Sequence, residues 1–343
     1  MKVLVTGCRG YIGSVLARSL KEQGFGVTGL DVGYFEDCFL EPAHEGYRMI
    51  RKDLREVSSQ DVEGFDAIVH LAALSNDPLG EFSPQLTEEI NFHGTVRLAR
   101  LAKAGGVSRF IYVSSQSMYG VSNSDEELEE DKSQKNPLTV YARTKWEAEC
   151  ELKKMNESTF TVVCFRPSTV FGVSPRLRCD IVFNNLVACA YTSGRIEIKS
   201  DGTPWRPVIH VLDVCQALLA GLRAPTSLIQ GRSYNVGLPG GNFTVRQLAE
   251  AAARAVPGST LTFTGEHGTD SRTYRVSFGR ILDELGEWFQ PSWNLDRGGK
   301  ELVEFFRRVG FTDQQFRGQA TNRLPHLKKL CEEGRLDGRL QWV

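Results

Sequence analysis

The sequence predicts an α/β protein: a doubly wound parallel sheet with a smaller C-terminal lobe. Three observations carry this. A buried strand at Val3-Leu4-Val5-Thr6 runs into glycines at 7, 10 and 13, and behind them Tyr11, Ile12, Val15, Leu16, Ser19 and Leu20 recur at helical spacing. Apolar strands then alternate with helical patterns as far as Phe165. At 343 residues the chain is long enough to bury a large core and divide into two lobes.

The first unit sets the register for the rest. Without a Cβ, the chain can turn tightly at Gly7, let a pyrophosphate approach at Gly10, and pack its helix close to the strand at Gly13. The helix start then offers free N–H groups and a positive dipole end to phosphate. Gly24 ends that helix, and Phe25 to Leu30 form a second strand tipped by Asp31, 18 residues beyond Gly13. An acid there is placed to accept from the adenosine ribose hydroxyls and to repel a 2′-phosphate, which favours NAD over NADP. Arg9, inside the turn, stands against this, being able to stack on adenine or to serve a 2′-phosphate.

Tyr47 to Ile50 reads as a third strand, followed by Asp53-Leu54. Asp53 suits either the adenine amino group or the cap of a short helix. Ala67 to Ala73 is a fourth strand ending in small residues, beside which backbone and cofactor can approach; His70 within it reads as a packed histidine. Pro84 to Ala104 carries one long helical pattern containing Asn91. Arg109 to Ser114, a helix over Pro137 to Met155, and Phe160 to Phe165 complete the alternation. From Gly172 the rhythm breaks. Pro175 to Tyr191 lies outside the sheet, Pro207 to His210 and Ser233 to Val236 return to it, and Phe243 onward is mostly helical. Residues 1–171, with returning segments near 205–237, are expected to form the dinucleotide domain. Residues 172–204 and 238–343 are expected to form the second lobe.

Composition narrows the class. The chain is 41% hydrophobic and 24% charged with a formal net charge of -1, a mixed surface without a global field to draw nucleic acid or an anionic membrane. The eight cysteines form no CxxC pair and read as small core residues in a reducing compartment, not as a disulfide frame or metal site. The sequence opens directly on a core strand and holds no apolar run of spanning length, so a soluble, cytoplasmic protein without a signal peptide is expected.

Chemistry is carried by Tyr141 and Lys145, four apart on one face of a helix. A free tyrosine titrates near ~10 and is a poor base at neutral pH. An ammonium one turn away and a nicotinamide cation nearby favour the phenolate, which can then take a proton from a sugar hydroxyl as hydride leaves the same carbon. Ser115, at the end of the fifth strand, can share that hydroxyl.

These residues, with Thr6-Gly7-x-x-Gly10-x-x-Gly13, Asp31, Asp53-Leu54, His70-Leu71-Ala72-Ala73, Asn91-x-x-Gly94-Thr95, Ser114-Ser115, Tyr119-Gly120, Arg166-Pro167-Ser168-Thr169-Val170-Phe171-Gly172 and Arg206-x-x-x-His210-Val211-x-x-Val214, give the resemblance. The chain resembles, over nearly its whole length, an extended short-chain dehydrogenase/reductase of the nucleotide-sugar epimerase and dehydratase type, with a Rossmann NAD domain. The resemblance implies cofactor contacts from Gly7, Arg9, Gly10, Tyr11, Ile12, Gly13, Asp31, Asp53, Leu54, Leu71, Ala72, Ala73, Asn91, Ser114, Tyr141, Lys145, Pro167 and Thr169. It implies catalysis by Tyr141, Lys145 and Ser115, without a metal. Substrate contacts are implied for Asp77, Ser115, Gln116, Ser117, Asn184, Arg206 and Arg272, with Asn184 and the two arginines near a diphosphate.

One departure bears on the reaction. In the family's 4,6-dehydratases an Asp-Glu pair follows the serine or threonine and eliminates water, whereas this chain has Gln116 and Ser117. Elimination by that route is not expected, and the first reading is an NAD-dependent nucleotide-sugar epimerase acting at C4 through a keto intermediate, with Asp77 as candidate second acid/base. A 4-keto-sugar reductase is the alternative, and a catalytically silent dinucleotide-binding regulator a third reading. The family also implies a homodimer paired through the helices at Pro84–Ala104 and Pro137–Met155, whose outer faces are expected to carry Arg97, Leu98, Leu101, Trp146 and Leu152.

Overall fold

The computed structural model describes all residues except 43–45, 123–125 and 267–272. In chain order its strands are β1 (Lys2–Thr6), β2 (Gly26–Asp31), β3 (Arg48–Arg51), β4 (Ala67–His70), β5 (Arg109–Val113), β6 (Thr161–Pro167), β7 (Thr169–Phe171), β8 (Arg195–Ile198), β9 (Trp205–His210), β10 (Ser233–Val236), β11 (Asn242–Thr244) and β12 (Thr260–Phe263). Seven of them make one sheet in the order β10-β6-β5-β4-β1-β2-β3, every pair parallel. Because both faces are covered, the central strands are apolar without alternation: Val3, Leu4 and Val5 of β1 and Val162, Val163, Cys164 and Phe165 of β6 are fully buried. The strand order reverses between β1 and β4, and a crevice opens there at the carboxyl ends.

Two expectations about elements are corrected. Pro207–His210 does not return to the main sheet: β9 lies between β7 and β11 in a separate three-stranded sheet. A short apolar run shows that a strand exists but not which edge it finds. The single helix over Pro84–Ala104 is three pieces, Pro84–Thr87, a wide π-wound stretch Glu88–Gly94, and Thr95–Ala104. The extra residue per turn directs Asn91 inward, where its amide accepts from Leu74 N at 2.8 Å and donates to Leu74 O at 3.1 Å.

The C-terminal segment also departs from the expected partition. After the helices Leu295–Arg308 and Asp313–Arg317, the chain crosses back as the helix Arg323–Glu332. Leu327, Leu330, Leu336 and Leu340 bury themselves with Leu30, Leu54 and Leu74 of the dinucleotide domain. The supposed dimer face is partly internal too: Leu98 and Leu152 are fully buried in that same core, because a helix on a sheet spends its apolar stripe on its own strands.

A buried ion pair supports the far side of the crevice. Arg166 donates to Glu149 through Nη2 at 2.5 Å and Nε at 3.1 Å, and to the Tyr119 hydroxyl at 3.0 Å. Ser233 adds a hydrogen bond to Glu149 at 2.7 Å. Burial pushes the Glu149 carboxyl up, but the Arg166 charge and these hydrogen bonds bring it below the usual carboxylate range.

Candidate active site

The crevice encloses about 970 Å³ and runs from the glycine turn to the second lobe. Gly7, Gly10, Tyr11, Ile12 and Gly13 line one end. Gly7 has φ +71°, and a Cβ there would lie 2.7 Å from Ala72 N, so strand β4 and the turn meet at backbone distance. Gly10 precedes the helix Tyr11–Glu22 and brings no side-chain cap, leaving the first-turn N–H groups for an anion. Asp31 accepts from Arg9 N at 3.0 Å and Gly33 N at 2.9 Å, which fixes its carboxylate at the end of β2. Burial is the largest influence on it and holds its pKa raised.

The three candidate catalytic residues come together as the motif spacing suggests. The helix Val140–Lys154 is capped by Thr139, whose hydroxyl accepts from Ala142 N and donates to Asp77 at 2.6 Å. Ser115, Tyr141, Lys145 and Asp77 all line the crevice. Burial raises the Tyr141 phenol, a hydrogen bond from Ser115 lowers it, the Asp77 charge raises it and Arg178 lowers it. Lys145 donates to Val113 O at 2.8 Å, and burial pushes its ammonium down to about 7. Arg178 is the cation whose charge draws the Tyr141 phenol down, against the larger upward push of burial.

That lysine makes a pH test. In the unfolded chain it titrates near ~10.4. Between about pH 7 and that value the unfolded state holds more protons, so stability rises with pH across the window. Lys145→Met is expected to flatten the rise in urea-unfolding stability between roughly pH 7.5 and 9.5. An unchanged slope in the variant would contradict a buried, weakly basic Lys145.

Several expected contacts are taken by the protein itself. Asp53 caps the short turn Leu54–Glu56 and pairs with Arg55 at 2.7 Å, so the helix-cap reading is realised. Leu54 is buried, packed beside Gly94. Asn91 holds the Leu74 backbone and reaches the crevice only indirectly. Arg9 forms an ion pair with Glu36 at 3.0 Å. Ala72 meets Gly7 through its backbone, while Leu71 and Ala73 line the crevice. Asn184 is fully buried: it accepts from Gly172 N at 2.9 Å and donates to Arg178 O at 2.9 Å and Tyr11 Oη at 3.2 Å. Its neighbour Asn185 lines the crevice instead, since one residue turns a helix position by ~100°. Gln116 lines the wall but its amide donates to Arg166 O at 3.0 Å. Ser114, Ser117, Pro167, Thr169 and Arg206 line the crevice, and Arg272 lies outside the described residues. His70 is fully buried, its ring nitrogens 2.6 Å from Thr6 Oγ1 and 2.8 Å from Thr95 Oγ1, and burial brings its pKa to about 3.

The sequence reading missed Arg178, Asp180 and Arg323, all at the crevice wall. Arg178 pairs with Asp180 at 2.8 Å, and Asp180 accepts from Asn76 at 2.9 Å. The alternating arginines of Pro175-Arg176-Leu177-Arg178 were a visible signal; Arg323, in the distant tail, had none.

Residues 3–237 match the family model described as "NAD dependent epimerase/dehydratase family". The chain belongs to that family. Among epimerase/dehydratase relatives, the UDP-glucose 4-epimerase of Mycolicibacterium smegmatis is 30% identical over 90% of this chain and 99% of its own length. The dTDP-D-glucose 4,6-dehydratase of Mus musculus is 28% identical over 90% of this chain and 89% of its own. Among solved structures, MoeE5 in complex with UDP-glucose and NAD superposes with a TM-score of 0.75 at 27% identity, covering 90% of this chain and 99% of that one. The cofactor of this family is NAD, and the chain's glycine turn, uncapped helix start and Asp31 fit it. Among the described residues no helix is long and apolar enough to cross a membrane.

Proposed function

We propose that this member of the family is a nucleotide-sugar 4-epimerase. One observation carries the reading: Tyr141, hydrogen-bonded by Ser115, faces the same crevice as the glycine turn, while Gln116 and Ser117 stand where elimination needs carboxyl groups. Bound NAD supplies the hydride acceptor and, once reduced, the hydride donor. The glycine turn and helix start hold its diphosphate, and Asp31 its adenosine ribose.

Ser115 Oγ and Tyr141 Oη bracket the reacting hydroxyl. Tyr141 takes the hydroxyl proton as the carbon is oxidised, and returns it when the keto sugar is reduced from its other face. Arg178 steadies the phenolate in the interval. Lys145 holds the nicotinamide ribose. Arg206 binds the substrate diphosphate, and Asp77, Asn185 and the Arg178–Asp180 pair offer acceptors and donors to the sugar. The assembly we propose is a homodimer.

Proton NMR of the purified protein with UDP-glucose, and separately with dTDP-glucose, tests the reading. Expected is the C4 epimer, with unchanged mass and no net oxidation or reduction of cofactor. A keto product that has lost water would identify a dehydratase, as in the mouse relative. Net consumption of reduced cofactor on a keto sugar would identify a reductase. Either result would overturn the epimerase reading.

A further inference from the structure

Two neighbouring buried arginines, Arg323 lining the crevice and Arg176 beside it, are only partly neutralised by the protein. Arg176 is 1% exposed and Arg323 is 5% exposed. In each, Nε and Nη1 are buried with no hydrogen-bond partner among the described residues. Their guanidinium carbons face the ring of Phe35, at 5.4 Å and 4.2 Å from its centroid, and Arg176 also faces Phe39 at 5.0 Å. A guanidinium stays charged in proteins, so two neighbouring, partly unsatisfied cations in a buried site need an anion.

The nearby carboxylates are engaged. Asp31 accepts from Arg9 N and Gly33 N, and Asp180 takes both forks of Arg178. Burial, and then the charge of the other arginines, pushes the Arg323 guanidinium down, as expected where like charges crowd. Arg323 lines the crevice that Gly7 and Gly10 also line.

Arg323 is delivered by the C-terminal segment, and that segment is firmly seated on the dinucleotide domain. Cys179 N donates to Thr321 O at 2.9 Å. His326 Nε2 lies 3.0 Å from Tyr34 O, Trp342 Nε1 donates to Val32 O at 2.7 Å, and Arg55 donates to Arg339 O at 2.8 Å. Val32 directly follows Asp31, so the tail is fastened across the adenosine end of the crevice.

We propose that residues 322–343 form a strap over the bound dinucleotide, and that Arg323, with Arg176 beside it, holds its diphosphate together with the glycine turn. The guanidinium fork of Arg323 matches a phosphate group, and the second cation of Arg176 adds to the field there. The strap explains why two cationic side chains are buried beside carboxylates that are already engaged elsewhere.

Calorimetry on the full chain freed of nucleotide tests this with ADP-ribose, which carries the diphosphate, and adenosine, which does not. Arg323→Gln is expected to weaken ADP-ribose binding about 10- to 100-fold, with Arg176→Gln acting in the same direction, and to leave adenosine binding unchanged. The nucleotide-free melting temperature should stay level or rise, because the substitution removes a repelled buried charge. Arg323→Lys, which keeps charge but loses the fork, should fall between wild type and Arg323→Gln. Unchanged ADP-ribose affinity, an equal loss for both ligands, or a lowered nucleotide-free melting temperature with affinity retained would each overturn the proposal. So would a wild-type preference for 2′-phospho-ADP-ribose that Arg323→Gln alone abolishes, since the pair would then read the 2′-phosphate. No sugar substrate enters the measurement, so a failure of the epimerase reading leaves its outcome intact.

Discussion

Glu149→Gln is expected to destabilise the protein by about 3–5 kcal/mol, because it leaves the fully buried Arg166 without its carboxylate. Thermal unfolding should move down by on the order of 10 °C. The cost comes from the stranded charge rather than from the intrinsic worth of the pair. The double variant Glu149→Leu/Arg166→Met should accordingly recover most of the loss, whereas simple additivity would make it worse than either single change. The effect reaches the site as well. Gln116 donates to Arg166 O, and Pro167 at the crevice wall is the next residue, so a loosened Arg166 releases that wall of the crevice. A Glu149→Gln protein melting within about 1 °C of wild type would show that this pair does not brace the sheet. The pair also sets an acid limit. The depressed Glu149 contributes stability above its unfolded pKa near ~4.3 and loses it as pH falls through the lower folded value.

Tyr141→Phe is expected to lower kcat about 10²- to 10⁴-fold, the contribution of a positioned acid/base, while NAD binding and folding stay intact. The phenyl ring fills the same space, and the helix Val140–Lys154 keeps its Thr139 cap. Only the proton-transfer atom and its hydrogen bond with Ser115 are lost. Steady-state turnover, a cofactor-binding titration and a melt together check this. A variant that turns over within a few-fold of wild type would remove Tyr141 from its assigned role. A silent dinucleotide-binding protein would show unchanged binding and no activity in either form.

What the chain spells out locally came through without its tertiary context. The glycine spacing, the acid at the tip of β2 and the Tyr-x-x-x-Lys repeat describe one turn, one strand end and one helix face. Each is fixed by backbone geometry over a few residues, so motif and structure agree at Gly7, Asp31, Ser115, Tyr141 and Lys145. Neutral alternatives such as the packed His70 were legible for the same reason: a buried strand position leaves little else for an imidazole to do.

Contacts that depend on what an element packs against were not legible. Asn184 and Asn185 differ by one helix step, and only the seating of their helix turned the first into the core and the second into the crevice. Asp53 suited the adenine or its own helix start, and only the structure shows that it caps that start and pairs with Arg55. Asn91 depended on a π-wound turn that no periodicity announces. Arg323 lies 316 residues beyond Gly7 in the sequence, yet the folded tail places both on one cavity. The sequence by itself determined the doubly wound fold, the glycine turn and the placing of Ser115, Tyr141 and Lys145 on one crevice, because these are written in short-range spacing. The tertiary structure alone decided which polar groups reach the crevice and which are consumed inside the protein, because a side chain's partners are set by packing between elements distant in the chain.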